Sequence, residues 1–260
     1  MKEKMFASRL VSSIYRQCKI LFCQNIYHST SKKFIYTTSR ELSEESPNKK
    51  TDLDYTIGIV AVAHERFGEL KVFVQSMINQ TQSNWNLHVL HDGVNEEFCN
   101  IMEGYRREKP MQITYECTSK RFNDYGHSLR EIGLKKAIGQ YVLITNADNY
   151  YVPKTLEFID IAIKNNDHKP DLIMFDMVHS HRNAGATKAP GYSFFKVSYR
   201  RYFIDMGAAV VEKSLAQSAG FSDKSFAADA TYFENVLNKK LETRSRLILT
   251  KIPRVLLVHN

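Results

Sequence analysis

The chain has 260 residues, of which 43% are apolar and 25% charged, enough to bury the core of one large α/β domain or two small ones. No stretch approaches the roughly 18 consecutive apolar residues of a membrane-spanning helix. The formal net charge of +8 sits in the N-terminus: residues 1–40 hold eight Lys/Arg against Glu3 alone, and the other 220 residues set 28 bases against 27 acids. A near-neutral body argues against a nucleic-acid-binding fold.

Residues 1–50 read as a basic leader and linker. Phe6, Ala7, Leu10, Val11, Ile14, Cys18, Leu21 and Phe22 fall on one arc of a helical wheel, and Lys2, Arg9, Arg16 and Lys19 fall largely on the other. Arg16 and Lys19 interrupt the apolar core that a secretory signal needs. Three readings stand side by side: a transit peptide, an amphipathic helix on an anionic membrane surface, or an extension without a role. They set the expected location as cytoplasmic or peripheral to a membrane, with organellar import as the alternative. The four cysteines (Cys18, Cys23, Cys99, Cys117) show no metal-ligand spacing and are expected to be ordinary thiols.

Residues 51–260 are expected to form one domain. Residues 55–63 are an apolar, β-branched run, the pattern of a strand buried on both faces. Leu70, Phe73, Val74, Met77 and Ile78 recur at helical spacing. Strands follow at 85–90, 112–117, 140–145 and 171–178, with helices at 98–107 and 129–138, and one that Pro153 opens and that runs to about residue 164. Short connections between alternating elements predict βαβ units in a mostly parallel, doubly wound α/β sheet flanked by helices. Ligands in such sheets bind at the carboxyl ends of the strands. His64, Glu65 and Arg66, then Asp92 and Gly93, then Asn146, Ala147, Asp148 and Asn149 are therefore expected to converge on one edge. Residues 179–191 are small and polar and predict a mobile loop over that edge, in which Arg182 or Lys188 would neutralise a diphosphate. His179 and His181 read as loop polarity rather than as a metal pair.

No glycine-rich phosphate loop follows the first strand, so a bound diphosphate would need another partner. A hard divalent cation is the usual substitute, and Asp148, at a strand end, is placed to hold one; alone it would read equally as a turn or cap aspartate.

The set Asn123, Gly126, Arg130, Gly133, Ala137, Gly139, Tyr141, Asn146 and Asp148 resembles the central signature of family 2 glycosyltransferases, which ends in an Asp-x-Asp metal motif. Upstream, Ser76 and Gln80, and then the segment 85–93 ending in Asp92-Gly93, resemble the family's first helix end and second strand. Downstream, residues 219–223 followed by Ala228-Asp229 resemble its acceptor-side element. The likeness covers roughly residues 55–240. It implies a GT-A (Rossmann-like) fold and metal-dependent, inverting transfer of a sugar from a nucleotide-diphosphate donor, most often a UDP-sugar. The acceptor hydroxyl would belong to a glycan, a lipid-linked or a protein acceptor. By the same resemblance Ala63, His64, Arg66, Asp92, Asn123, Arg130, Asn146 and Ala147 would bind the donor. Asp148 and His259 would ligate Mn2+ or Mg2+, and Asp229 would be the general base. Asp223 is the substitute base if Asp229 only caps its helix, and Asp92 alone reads also as a turn residue. Three positions depart from the family: Asn146 replaces the first aspartate, Ala228 replaces the acid before the base, and His64 stands where a residue such as Asn is common. Two of these leave the site less acidic, so a catalytically weak nucleotide-sugar-binding descendant is the alternative reading. A nucleotidyltransferase would need a glycine-rich basic loop after the first strand, which residues 63–68 do not supply.

Overall fold

The computed structural model describes residues 56–180, 192–226 and 228–260. The basic leader and most of the loop expected at 179–191 lie outside these residues. Among the described residues no helix is long and apolar enough to cross a membrane.

The first half of the domain alternates strand and helix: β1 (Ile57–Ala63), α1 (Phe67–Ile78), β2 (Trp85–His91), α2 (Glu96–Glu108), β3 (Ile113–Cys117), α3 (His127–Lys136) and β4 (Tyr141–Asn146). β1 lies between β2 and β4, parallel to both, which explains why its run is apolar on both faces. The helical stripe Leu70, Phe73, Val74 and Met77 of α1 is buried against that sheet. Asn95 caps α2, its Oδ1 accepting the Phe98 N–H at 2.9 Å. α3 lies so close to the sheet that a Cβ on Gly133 would meet Val60 Cγ1 at 2.4 Å and Leu90 Cδ1 at 2.8 Å. Only glycine permits this approach.

The second half is less regular. It runs β5 (Tyr150–Tyr151), α4 (Thr155–Lys164), β6 (Leu172–Ser180), β7 (Tyr192–Phe195), a 3-10 turn (Met206–Ala208), β8 (Ala209–Glu212), α5 (Lys213–Ala219), α6 (Ala228–Glu242) and β9 (Leu249–His259). The sheet order is β3-β2-β1-β4-β8-β6-β9-β5, with β7 on β6. β8 runs antiparallel between β4 and β6, and β5 and β7 are also antiparallel to their neighbours. The sheet is thus mostly parallel, as the alternation predicts. α4 begins two residues later than expected: Pro153 precedes it, and its carbonyl accepts the Thr81 N–H at 2.9 Å.

Pairing of β5 with β9 sets Tyr150 opposite Val258. Asn260 then donates from Nδ2 to the Asp148 carbonyl at 2.6 Å. The end of β9 is thereby fastened to the turn that carries Asp148, and residues more than a hundred apart in sequence meet at one edge.

Candidate active site

At the carboxyl ends of β1, β2 and β4 lies a cavity of about 260 Å³. Its walls include Ala63, His64, Arg66, Asp92, Asn123, Asn146, Ala147 and Asp148, the three polar clusters expected to converge together with Asn123. The Ala147 N–H donates to the Val62 carbonyl at 2.8 Å, which locks the turn after β4 onto β1. The segment after β3 forms the opposite wall, and Asp92 shapes it. Asp92 Oδ1 accepts the Phe122 N–H at 2.8 Å and Oδ2 the Asn123 N–H at 3.1 Å. Each oxygen keeps a further lone pair for a ligand. Asn123 and Tyr125 adopt positive φ (53° and 58°), a conformation that side-chain-bearing residues take at a cost. Gly126 follows at φ 81°, and a Cβ there would meet Val62 Cγ1 at 2.7 Å.

Basic side chains are engaged along the cavity wall. Arg66 Nη1 contacts Asp148 Oδ2 at 2.8 Å, and Arg121 Nη2 lies 3.0 Å from His64 Nε2. Asp148 Oδ1 is buried without a hydrogen-bond partner. Burial pushes the Asp148 carboxyl above its ordinary range, while Arg66 and the nearby His259 pull in the other direction. Arg130 does not line the cavity; it is buried behind Asn146, and its Nη2 donates to Asn146 Oδ1 at 2.6 Å.

Asp229 lies in the first turn of α6. No side chain or backbone group among the described residues hydrogen-bonds to it. Its carboxyl is pushed up by burial, lowered by Arg130, raised by Asp205 and lowered by His259. His259 lowers the carboxyl pKa of both Asp229 and Asp148. Asp223 has a different task. It accepts the Ser225 N–H and the Thr231 hydroxyl, each at 2.8 Å, and these bonds hold its carboxyl below the usual range. Asp223 therefore organises the entry to α6 and leaves Asp229 without a capping duty.

Asp205, which the sequence reading did not single out, reaches His259 and acts on the Asp229 carboxyl. Its Oδ1 accepts the Gly207 N–H at 2.8 Å, and its Oδ2 lies 3.5 Å from His259 Nε2. An Asp-x-Gly turn before a short strand is its only local signal, and that signal marks a turn as readily as a site. The His259 ring stacks on His179 with centroids 4.6 Å apart, and its Nδ1 is buried without a hydrogen-bond partner. Among the described residues no three His, Cys, Asp or Glu side chains are grouped to hold a metal ion by themselves. Asp148 Oδ1 and His259 Nδ1 are nevertheless two bare donor atoms of the kinds a borderline-hard divalent ion accepts. Cys99 and Cys117 are free thiols, Sγ to Sγ 3.4 Å, one on α2 and the other at the end of β3.

Residues 57–169 match the model of the glycosyl transferase family 2. Among curated proteins, the chain is 23% identical over 104 residues to an uncharacterized glycosyltransferase of Rickettsia bellii, covering 40% of the chain and 14% of the relative. It is 19% identical over 171 residues to one of Rickettsia felis, covering 58% of the chain and 28% of the relative. The chain thus spans under a third of the length of these relatives. Among solved structures, S. aureus TarS in complex with UDP superimposes with a TM-score of 0.62 at 15% identity, over 78% of the chain and 60% of TarS 1-349. The mannosyltransferase PcManGT from Pyrobaculum calidifontis, in complex with GDP-Man and Mn2+, superimposes with a TM-score of 0.58 at 12% identity, over 94% of the chain and 68% of that enzyme. These superpositions establish the fold.

Proposed function

We propose that the chain is a glycosyltransferase of the family 2 type, which transfers a sugar from a nucleotide-diphosphate donor, a UDP-sugar first among candidates, to an acceptor hydroxyl with inversion. The observation that carries this reading is the strand-end cavity lined by Asp92, Asn146 and Asp148, with His259 acting electrostatically on the carboxyls of both Asp148 and Asp229. The UDP and GDP-Man held by TarS and PcManGT support the donor class.

Each residue then has a task. Asp92 and Asn123 face the nucleoside. Arg66, paired with Asp148 here, has diphosphate oxygens as alternative partners once a donor is present. Asp148 Oδ1 and His259 Nδ1 would hold Mn2+ or Mg2+, which when bound neutralises charge on the departing nucleoside diphosphate. Asp229 takes the proton of the acceptor hydroxyl. A carboxylate that burial makes more basic, and that no hydrogen bond engages, suits this role.

Asn146 and Ala228 favour a second reading, a nucleotide-sugar-binding protein without turnover, because each replaces a family carboxylate. Thermal shift and donor hydrolysis with UDP-, GDP- and dTDP-sugars, each with and without Mn2+, separate the two. Transfer chemistry predicts stabilisation by one donor class, enhanced by Mn2+, together with slow hydrolysis of that donor. Stabilisation without hydrolysis or transfer supports the binding protein. No stabilisation by any donor removes both readings.

A further inference from the structure

Asn146 stands where the family pattern has the first carboxylate of its metal motif, and a buried neighbour decides which end of its amide faces the ligand. Arg130 is only 4% exposed. Its guanidinium carries N–H donors and no acceptor. Nη2 donates to Asn146 Oδ1 at 2.6 Å, while Nη1 donates to the Tyr125 carbonyl at 3.0 Å and lies 2.9 Å from His127 Nδ1. Amide oxygen and nitrogen are easily interchanged in a structure, but a donor-only partner admits only the oxygen. Asn146 therefore spends Oδ1 on Arg130 and retains Nδ2 for the cavity it lines. An aspartate at this place would offer the cavity a second anionic oxygen, suited to a cation. The asparagine offers N–H donors, suited to an anion. Arg66 and Arg121 line the same cavity as Asp92 and Asp148, and Arg66 already offsets Asp148, so cationic donors for an anion stand beside Asn146.

We propose that Asn146, held oxygen-inward by Arg130, donates its Nδ2 amide hydrogen to a diphosphate oxygen of the donor, and that this contact gives the chain a share of nucleotide affinity that needs no metal ion. The proposal rests on the nucleotide-sugar reading and refines it. The first motif position recognises the phosphate rather than the cation or the ribose.

Calorimetric titration of the full chain with uridine, UDP, guanosine and GDP, in EDTA and then in Mn2+, tests it in wild type, Asn146→Ala and Asn146→Asp. A hydrogen bond to a charged group is worth about 10- to 150-fold in affinity. In EDTA, Asn146→Ala should weaken the preferred nucleoside diphosphate by about 10-fold or more and leave its nucleoside unchanged. Asn146→Asp should weaken it at least as much, because a carboxylate then faces phosphate, and should regain affinity when Mn2+ is added. Asn146→Asp keeps an acceptor for Arg130, so it carries the test even where Asn146→Ala fails to fold. Wild-type diphosphate affinity in Asn146→Asp under EDTA overturns the proposal. So does equal weakening of nucleoside and diphosphate, which would assign Asn146 to the ribose. If wild type binds no nucleoside diphosphate in either condition, the nucleotide-sugar reading itself fails, an outcome distinct from diphosphate binding that ignores both variants.

Discussion

Along the cavity, nearly every polar side chain has a partner: Asp92 holds two backbone N–H groups, Arg66 holds Asp148, Arg121 meets His64, and Arg130, from behind, holds Asn146. Asp229, by contrast, is engaged by no hydrogen bond among the described residues and feels only burial and the fields of Arg130, Asp205 and His259. Hydrogen bonds fix a group in place and in one protonation state, whereas a buried, unengaged carboxylate is ready to take a proton. On the proposed reading, the contrast separates a half that holds the ligand from a half that reacts with it.

Removing Asp229, the proposed base, should have the largest effect. Asp229→Asn should lower kcat by about 10²- to 10⁴-fold and leave donor KM and nucleotide affinity in place. If steady-state kinetics show donor affinity falling in step with kcat, Asp229 belongs to the holding half and the contrast is broken. Asp148→Ala should do the reverse, reducing Mn2+ affinity, read by titration of free Mn2+, by about 100-fold or more. An unchanged Mn2+ affinity would take the metal away from Asp148. Gly126→Ala tests the rigidity of the donor wall. Positive φ and the contact with Val62 should cost about 1–3 kcal/mol in chemical denaturation, and a neutral result would mean that this wall readily yields.

The smallest effect concerns pH. Burial raises the Asp229 carboxyl pKa, so kcat should fall on acidification through a value above the ordinary carboxylate pKa of about 4. The native state then holds the proton more tightly than the unfolded chain, so ionising Asp229 opposes folding as pH rises through that interval. Asp229→Asn should accordingly melt a few degrees higher than wild type at neutral pH, with the gain vanishing under acid conditions where both states are protonated. A variant that melts lower at neutral pH would show that Asp229 is a structural anchor rather than a poised base.

Much of the donor half was legible because its signals are local. The run in β1 is apolar on both faces, as a central parallel strand requires, and the residues that follow β1, β2 and β4 fall on one edge by topology alone. The short antiparallel strands β5, β7 and β8 have two to four residues, too few for a periodic pattern to emerge. Asp205 lay hidden for a related reason: its partner His259 is far along the chain, and nothing near it in sequence marks the meeting.

The sequence by itself determined the alternating α/β order, the near-neutral body beneath a basic leader, the glycines that close packing demands, and a set of carboxylates at strand ends. Tertiary structure decided which of these act together. It assigned Asp223 to the α6 entry and left Asp229 unengaged, it turned the Asn146 amide by means of Arg130, and it brought His259 to Asp148 through the register of β9 on β5. The physical reason is range: helix and strand formation follow from side chains a few positions apart, whereas the protonation and orientation of a site residue are set by charges and donors that only the folded chain brings within a few ångströms.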